Sequence, residues 1–197
     1  MRIWLIIAVV LALFIQPAIA AELPVPKAAY SAQRVMETGG LQMTGQVYHD
    51  RGKERWEVST GGMSQVRIMR PDLSKLIMYM PQMNMGMEMA LDAGRQFGLP
   101  ADHTGPKPEA VGREDVAGES TIKYRTDVDN GADTPFTVFS WVTDDGIVMR
   151  IEGKGPEGDF AMYLKGLSRG PQDAALFEMP AGAQLMPANP AMLDQLN

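Results

Sequence analysis

The sequence predicts a mainly β protein built as one antiparallel meander, and three observations carry that prediction. Extended segments from Ser31 to Leu91 alternate with short turn signals, and a second such series runs from Glu119 to Leu167. Only two short stretches, Asp92 to Gly98 and Pro171 to Phe177, carry the start and stop signals of helices. With 197 residues, 45% of them apolar and 21% charged, the chain can bury one sizeable core and lacks the composition of a disordered protein.

The first element is an address. Arg2 precedes an unbroken apolar run, Ile3 to Ile15, which Pro17-Ala18-Ile19-Ala20 closes with small residues at the positions a signal peptidase reads. Residues 1–20 therefore read as a secretory signal peptide cut after Ala20. A spanning helix needs about 17 to 25 apolar residues, so the mature protein is expected to be periplasmic and not membrane-spanning. Ala21 stands where a lipoprotein would carry Cys. Residues 21–187 form the expected single domain, and 188–197 a loosely ordered tail.

The turns come next, at Gly39-Gly40, Asp50-Arg51-Gly52, Gly61-Gly62, Pro71-Asp72 and Pro81-Gln82. Sliding a strand by one residue turns its whole apolar set to the other face, so register can be read from pattern. A three-residue loop Gly61-Gly62-Met63 sets Trp56 and Val58 opposite Ile68 and Val66 and places both apolar pairs on one face. A turn centred between Gln82 and Met83 pairs Met80 with Met85, Met78 with Met87 and Leu76 with Met89. Those six side chains then share one face, with Ile77, Tyr79 and Glu88 on the other. Beyond the short helix expected at Asp92 to Gly98 lies a loop from Ala101 to Pro108. Strands resume at Glu119 to Val128, Phe136 to Thr143, Ile147 to Lys154 and Phe160 to Leu167, with Asp145-Gly146 as a hairpin turn.

Composition removes several function classes. A net charge of −6 and a sequence pI of about 4.9 leave no basic footprint for nucleic acid. The absence of Cys excludes thiolate metal sites and Cys nucleophiles. His49 and His103 stand at no metal-ligand spacing and read as surface loop residues. Lys53-Glu54-Arg55 with Glu57 reads as solvated charge on a strand edge. Asp144-Asp145 reads as a tight turn. Gly153 to Gly158 matches G-x-G-x-x-G, but Pro156 lies inside it and a strand follows, so it is a hairpin loop and no nucleotide cradle. No catalytic residue and no cofactor is expected.

The 16 Met are the unusual feature, with Met at 78, 80, 83, 85, 87 and 89. Unbranched, polarizable thioethers suit a surface that must accommodate variable apolar partners. They also select Cu(I). Neighbouring Met on one strand lie about 6 to 7 Å apart, so a copper site needs facing strands, with Met80, Met85 and Met87 as its candidates.

The residues from Tyr30-Ser31-Ala32 and Val35-Met36-Glu37 through Met43, Gly45, Val47-Tyr48, Lys53-Glu54-Arg55, Gly61-Gly62-Met63 and the Met-rich hairpin resemble the periplasmic LolA/LolB-like lipoprotein-carrier superfamily. Trp141 to Ile147 and Leu176 to Gly182 extend the resemblance, which covers most of Ser31 to Pro187 without Asp92 to Gly118. It implies an open antiparallel sheet of about eleven strands, curled into a half barrel, with a few short helices as lid over a hollow for acyl chains. The expected function is thus a non-enzymatic periplasmic binding protein for an acyl chain, lipid or lipoprotein, including lipoprotein sorting, with other envelope proteins as partners. Its expected ligand-binding residues are Trp56, Val58, Val66, Ile68, Leu76, Met78, Met80, Met85, Met87 and Met89. The alternative is a Met-rich Cu(I)-binding protein.

Overall fold

The computed structural model describes residues 25–60, 62–91, 107–128, 136–155 and 158–187. The expected signal peptide, the helix at Asp92 to Gly98, His103 and the tail after Pro187 lie outside them. Twelve strands form one sheet: β1 (Tyr30–Thr38), β2 (Leu41–Asp50), β3 (Lys53–Thr60), β4 (Met63–Arg70), β5 (Lys75–Met80), β6 (Met85–Ala90), β7 (Glu109–Val116), β8 (Glu119–Val128), β9 (Phe136–Thr143), β10 (Val148–Gly155), β11 (Gly158–Arg169) and β12 (Gln184–Pro187). Their order is β12-β6-β5-β4-β3-β2-β1-β11-β10-β9-β8-β7. Every neighbouring pair is antiparallel except β12 on β6, which is parallel. Two meanders, β1 to β6 and β7 to β11, are therefore joined where β11 returns to β1, and the sheet stays open at β12 and β7.

Local chemistry sets the hairpins. Gly39 and Gly40 take φ of +54° and +80°, the left-handed pair that lets a two-residue turn follow the strand twist. The β4–β5 and β5–β6 connections are built alike: Pro71 and Pro81 each start a 3-10 turn, and Ser74 and Asn84 end it with φ of +52° and +51°. Ser74 N–H and Asn84 N–H each donate to the proline carbonyl at 3.1 Å. The second of these turns produces the register expected for the Met hairpin: Met80 pairs with Met85, Met78 with Met87 and Leu76 with Met89.

The register at β3–β4 differs from the expectation by one residue. Thr60 pairs with Met63, so the loop is two residues, and Trp56 faces Arg67 while Val58 faces Gln65. Val66 and Ile68 consequently point to the opposite face from Trp56 and Val58. Both faces of this region are apolar, so the hydrophobic pattern alone could not choose between the loop lengths.

The sheet curls toward the face that carries Trp56. Tyr30, Ala32, Val47, Trp56 and Val58 from β1 to β3 share one buried cluster with Met149 and Leu164 from β10 and β11 and with Ile147. Arg169 at the end of β11 reaches Glu119 at the start of β8 at 2.8 and 3.0 Å, although β10 and β9 lie between those strands. We call the Trp56 face inner and the other outer.

On the outer face, residues 171–183 cross β3 to β6 as a strap. Phe177, 1% exposed, enters a cluster of Val66, Ile68, Ile77 and Tyr79, with Leu176, Met179 and Ala183 around it. Asp173 caps the 3-10 turn Ala174–Phe177 by accepting from Ala175 N–H at 2.9 Å. Arg55 donates to the Leu176 carbonyl at 3.0 Å, and Arg70 to the Phe177 carbonyl at 3.3 Å and to Glu178. Gly86 leaves the slot that Met179 fills, since a Cβ there would lie 1.9 Å from Met179 Cε. The turn expected at Pro171 to Phe177 is present, then, but it closes the outside of the sheet and is no lid over the hollow.

Farther along the outer face, over β8 to β10, charge replaces the strap. Trp141 lies beneath Lys123 and Arg150, 4.6 and 4.8 Å from its ring centroid, and donates its indole N–H to Glu114 at 2.8 Å. The charged ends of those two side chains lie over an aromatic that the strap does not reach.

Candidate functional site

Alternation along each strand dictates what the inner face presents. Across β1 to β6, Ala32, Val47, Trp56, Arg67, Met78 and Met87 are successive cross-strand partners and form one continuous row. A parallel row runs Tyr30, His49, Glu54, Met69, Leu76 and Met89. Eight of the ten residues expected to bind ligand, namely Trp56, Val58, Leu76, Met78, Met80, Met85, Met87 and Met89, lie on this face. Val66 and Ile68 do not; at 4% and 0% exposure they are sealed beneath the strap.

Burial is uneven along the inner face. Leu76 and Met89 are buried at 0% and 4% exposure, whereas Met78, Met80, Met85 and Met87 are each only partly buried. Met80 and Met85 face each other directly, with Met78 and Met87 the adjacent rung. Toward the β1–β2 turn, the inner face continues through Met36, Met43 and Met162, all packed against the central cluster. It ends in a cleft of about 930 Å³ formed by the ends of β1, β2, β9, β10 and β11, with Phe136, Phe139, Phe160 and Leu41 as its largest apolar side chains. None of the ten expected residues lines this cleft. Phe160 meets Phe136 edge to face at 6.4 Å and lies over Gly153, where a Cβ would approach its ring to 2.4 Å.

Between the Met surface and the central core sits a polar group that the sequence pattern did not reveal. Arg34 donates to both oxygens of Glu54 at 2.7 Å, and the two side chains keep 15% and 20% exposure. Burial opposes ionisation of Glu54, but the charge and hydrogen bonds of Arg34 hold its carboxyl below the usual range. His49 is no surface loop residue; it is 6% exposed on β2, stacks on Tyr30 at 5.2 Å, and burial pushes its imidazole pKa down. Burial, with the charge of Glu54, pushes the Tyr30 phenol up to about 12. Arg34 and Arg67 both lie over the Trp56 ring, 5.8 and 5.4 Å from its centroid. Glu54 likewise belongs to this interior group and not to a solvated edge. Gly45 leaves room for the Trp56 indole beside β2: a Cβ there would stand 2.0 Å from the Glu57 carbonyl and 2.9 Å from Trp56 Nε1.

Two turns lie where the sequence placed them. Gly155 pairs with Gly158, so Gly153 to Gly158 belongs to a hairpin. Asp144 and Asp145 occupy a turn, where they bind Arg113 and Arg169. Among the described residues, no group of three or more His, Cys, Asp or Glu could hold a metal ion, and no helix is long and apolar enough to cross a membrane.

No protein-family model matches the sequence, and no curated protein matches it. Solved structures do. An uncharacterised conserved protein from Thermus thermophilus superposes with a TM-score of 0.59 at 12% identity, over 82% of this chain and 91% of that one. MucB of Pseudomonas aeruginosa, solved in complex with MucA, superposes at 0.54 and 13% identity over 82% of this chain, which spans 59% of that one. A LolA superfamily protein from Nitrosomonas europaea matches at 0.40 and 9% identity, over 81% of this chain and 94% of that one. At such identities the likeness is one of fold: the chain shares an open, curled antiparallel sheet with the Thermus protein and MucB, and has twelve strands where the resemblance implied about eleven.

Proposed function

We propose that this is a non-enzymatic periplasmic binding protein whose inner sheet face takes an acyl chain, as a lipid or as the anchor of a lipoprotein. The observation that carries the reading is the asymmetry of β4 to β6. The chain supplies its own cover for the outer face of these strands, while four thioethers on the inner face stay partly open. A partly open apolar surface inside a curled sheet is suited to a ligand. Met is suited to line it, since its side chain adapts to acyl chains of different shape. Lipoprotein sorting is the narrower form of the same proposal. Other envelope proteins are further partners in this proposal, and the complex of MucB, alike in fold, with another protein, MucA, supports protein partners.

The rungs Met80/Met85 and Met78/Met87 also favour Cu(I) as a second reading, because they gather four soft sulfurs on one face. Native mass spectrometry of the protein purified from a bacterial periplasm without detergent separates the two. A stoichiometric acyl-lipid adduct is the expected result. A copper adduct lost on changing Met80, Met85 and Met87 to Leu replaces the lipid reading with the metal one. Bare protein that takes up neither added lipid nor Cu(I) overturns both and leaves a protein partner as the occupant.

A further inference from the structure

Three buried side-chain atoms among the described residues have no hydrogen-bond partner: Arg34 Nε, His49 Nδ1 and Trp56 Nε1. All three belong to the inner-face polar group. An unpaired buried donor is costly, and buried polar groups in native proteins nearly always find partners. Three in one place, in residues of which His49 and Trp56 are 6% and 5% exposed, mark a position where a partner is missing.

The charge at the same position has a sign. Arg34 is neutralised by Glu54 in a two-bonded pair. Arg67 forms no hydrogen bond or ion pair with any described residue, and it is desolvated enough that burial lowers its pKa. Burial likewise favours neutral His49. Two guanidiniums thus share one carboxylate, leaving a positive charge in excess.

Trp141 shows what a completed version looks like. It too lies against two cations, Lys123 and Arg150, and there Glu114 accepts the indole N–H at 2.8 Å. Trp56 has the two cations, but Glu54 is bonded to Arg34 and no carboxylate accepts the indole N–H. Its neighbours in the inner row are Arg67 and, one strand further, Met78 and then Met87, with strands about 4.8 Å apart. An anion bound at Arg67 therefore stands at the edge of the thioether surface.

We propose that Trp56, Arg67 and Arg34 seat the anionic head group, a carboxylate or a phosphate, of the acyl ligand whose chain lies on the inner face. The inference rests on the acyl-binding reading above and adds the head-group chemistry to it. Trp56 Nε1–H and the Arg67 guanidinium donate to the oxyanion, and Arg34, fixed by Glu54, supplies its remaining N–H. Charge-assisted donors in a partly desolvated site are the strong kind.

The test compares laurate, dodecyl phosphate, 1-dodecanol and inorganic phosphate on the full chain by isothermal titration calorimetry, with Arg67→Gln beside the wild type. Laurate and dodecyl phosphate are expected to bind about tenfold or more tighter than dodecanol, as one charge-assisted contact provides. In Arg67→Gln that preference is expected to collapse while dodecanol binding stays. Equal binding of all three chain compounds by the wild type overturns the head-group seat and leaves acyl binding standing, and this comparison needs no variant to fold. Binding of none of them overturns both proposals. Inorganic phosphate binding as tightly as dodecyl phosphate overturns the lipid source of the anion.

Discussion

The two faces of β4 to β6 are made from alternate residues of the same strands, yet they are finished differently. Outside, Val66, Ile68, Ile77 and Tyr79 are 4%, 0%, 7% and 8% exposed, because the chain returns after β11 to lay Phe177 over them. Inside, Met78, Met80, Met85 and Met87 are only half-buried. The closed face uses β-branched and aromatic residues that pack in one way; the open face uses unbranched thioethers that pack in many. The difference separates a surface whose work is stability from one whose work is contact with something else.

That contrast predicts its own largest effect. Phe177→Ala removes the centre of the strap and is expected to cost about 3 to 5 kcal/mol of unfolding free energy in urea titration. Ile68→Ala should follow at about 2 to 5 kcal/mol. A loss under about 1 kcal/mol for Phe177→Ala would mean that the outer face is not a closed core.

Gly45→Ala attacks the other side. The new Cβ meets the Glu57 carbonyl at 2.0 Å, a backbone atom that cannot swing away, as well as Trp56 Nε1 at 2.9 Å. Overpacking of this kind costs about 1 to 3 kcal/mol, and it should displace Trp56 and change its fluorescence. An unaltered emission spectrum would contradict the close approach of indole and strand.

Acid should reach the inner group before the strap. Burial holds the His49 imidazole pKa below its ordinary value of about 6.5. The unfolded chain therefore takes up a proton that the folded one refuses, and stability falls as pH is lowered from about 6.5 toward the folded-state pKa of His49. Glu54, whose pKa Arg34 holds down against burial, contributes fully above the unfolded carboxyl value of about 4.3. Its contribution is lost as pH falls through its folded-state pKa. His49→Phe keeps the ring on Tyr30 and should lose less stability than the wild type between pH 7.5 and 5.5. Equal losses would remove His49 from the account.

The smallest expected effect is on the open face. Met78→Leu and Met87→Leu conserve volume and should each change stability by less than about 1.5 kcal/mol, a result urea titration checks. A loss as large as that of Phe177→Ala would show that these thioethers are core.

Much of this fold was legible, and the limits have physical causes. Pro81 to Asn84 makes a turn of defined length, so the Met hairpin register could be read residue by residue. Gly61-Gly62-Met63 fits a two- or a three-residue loop, and with apolar residues on both faces the pattern could not decide between them. β7 was invisible because nearly all its side chains are exposed, leaving an edge strand with no apolar alternation. β12 is four residues on the opposite edge, held by parallel pairing to β6. The polar group was missed for a different reason. Arg34, His49, Glu54 and Arg67 lie on four different strands, and each reads alone as surface; only the lateral pairing of β1 to β4 brings them together. The sign that could have pointed to them is Glu54 standing in alternation with Trp56 and Val58, on the side of the strand that faces inward.

The most direct test of two differently finished faces is a carbon–proton NMR spectrum of the protein labelled at its methionine methyl groups, recorded with and without laurate. Met78, Met80, Met85 and Met87 are predicted to shift on addition, while Met179, held in the slot at Gly86 on the outer face, stays in place. Shifts at Met179 with the inner methyl groups unmoved would contradict the account.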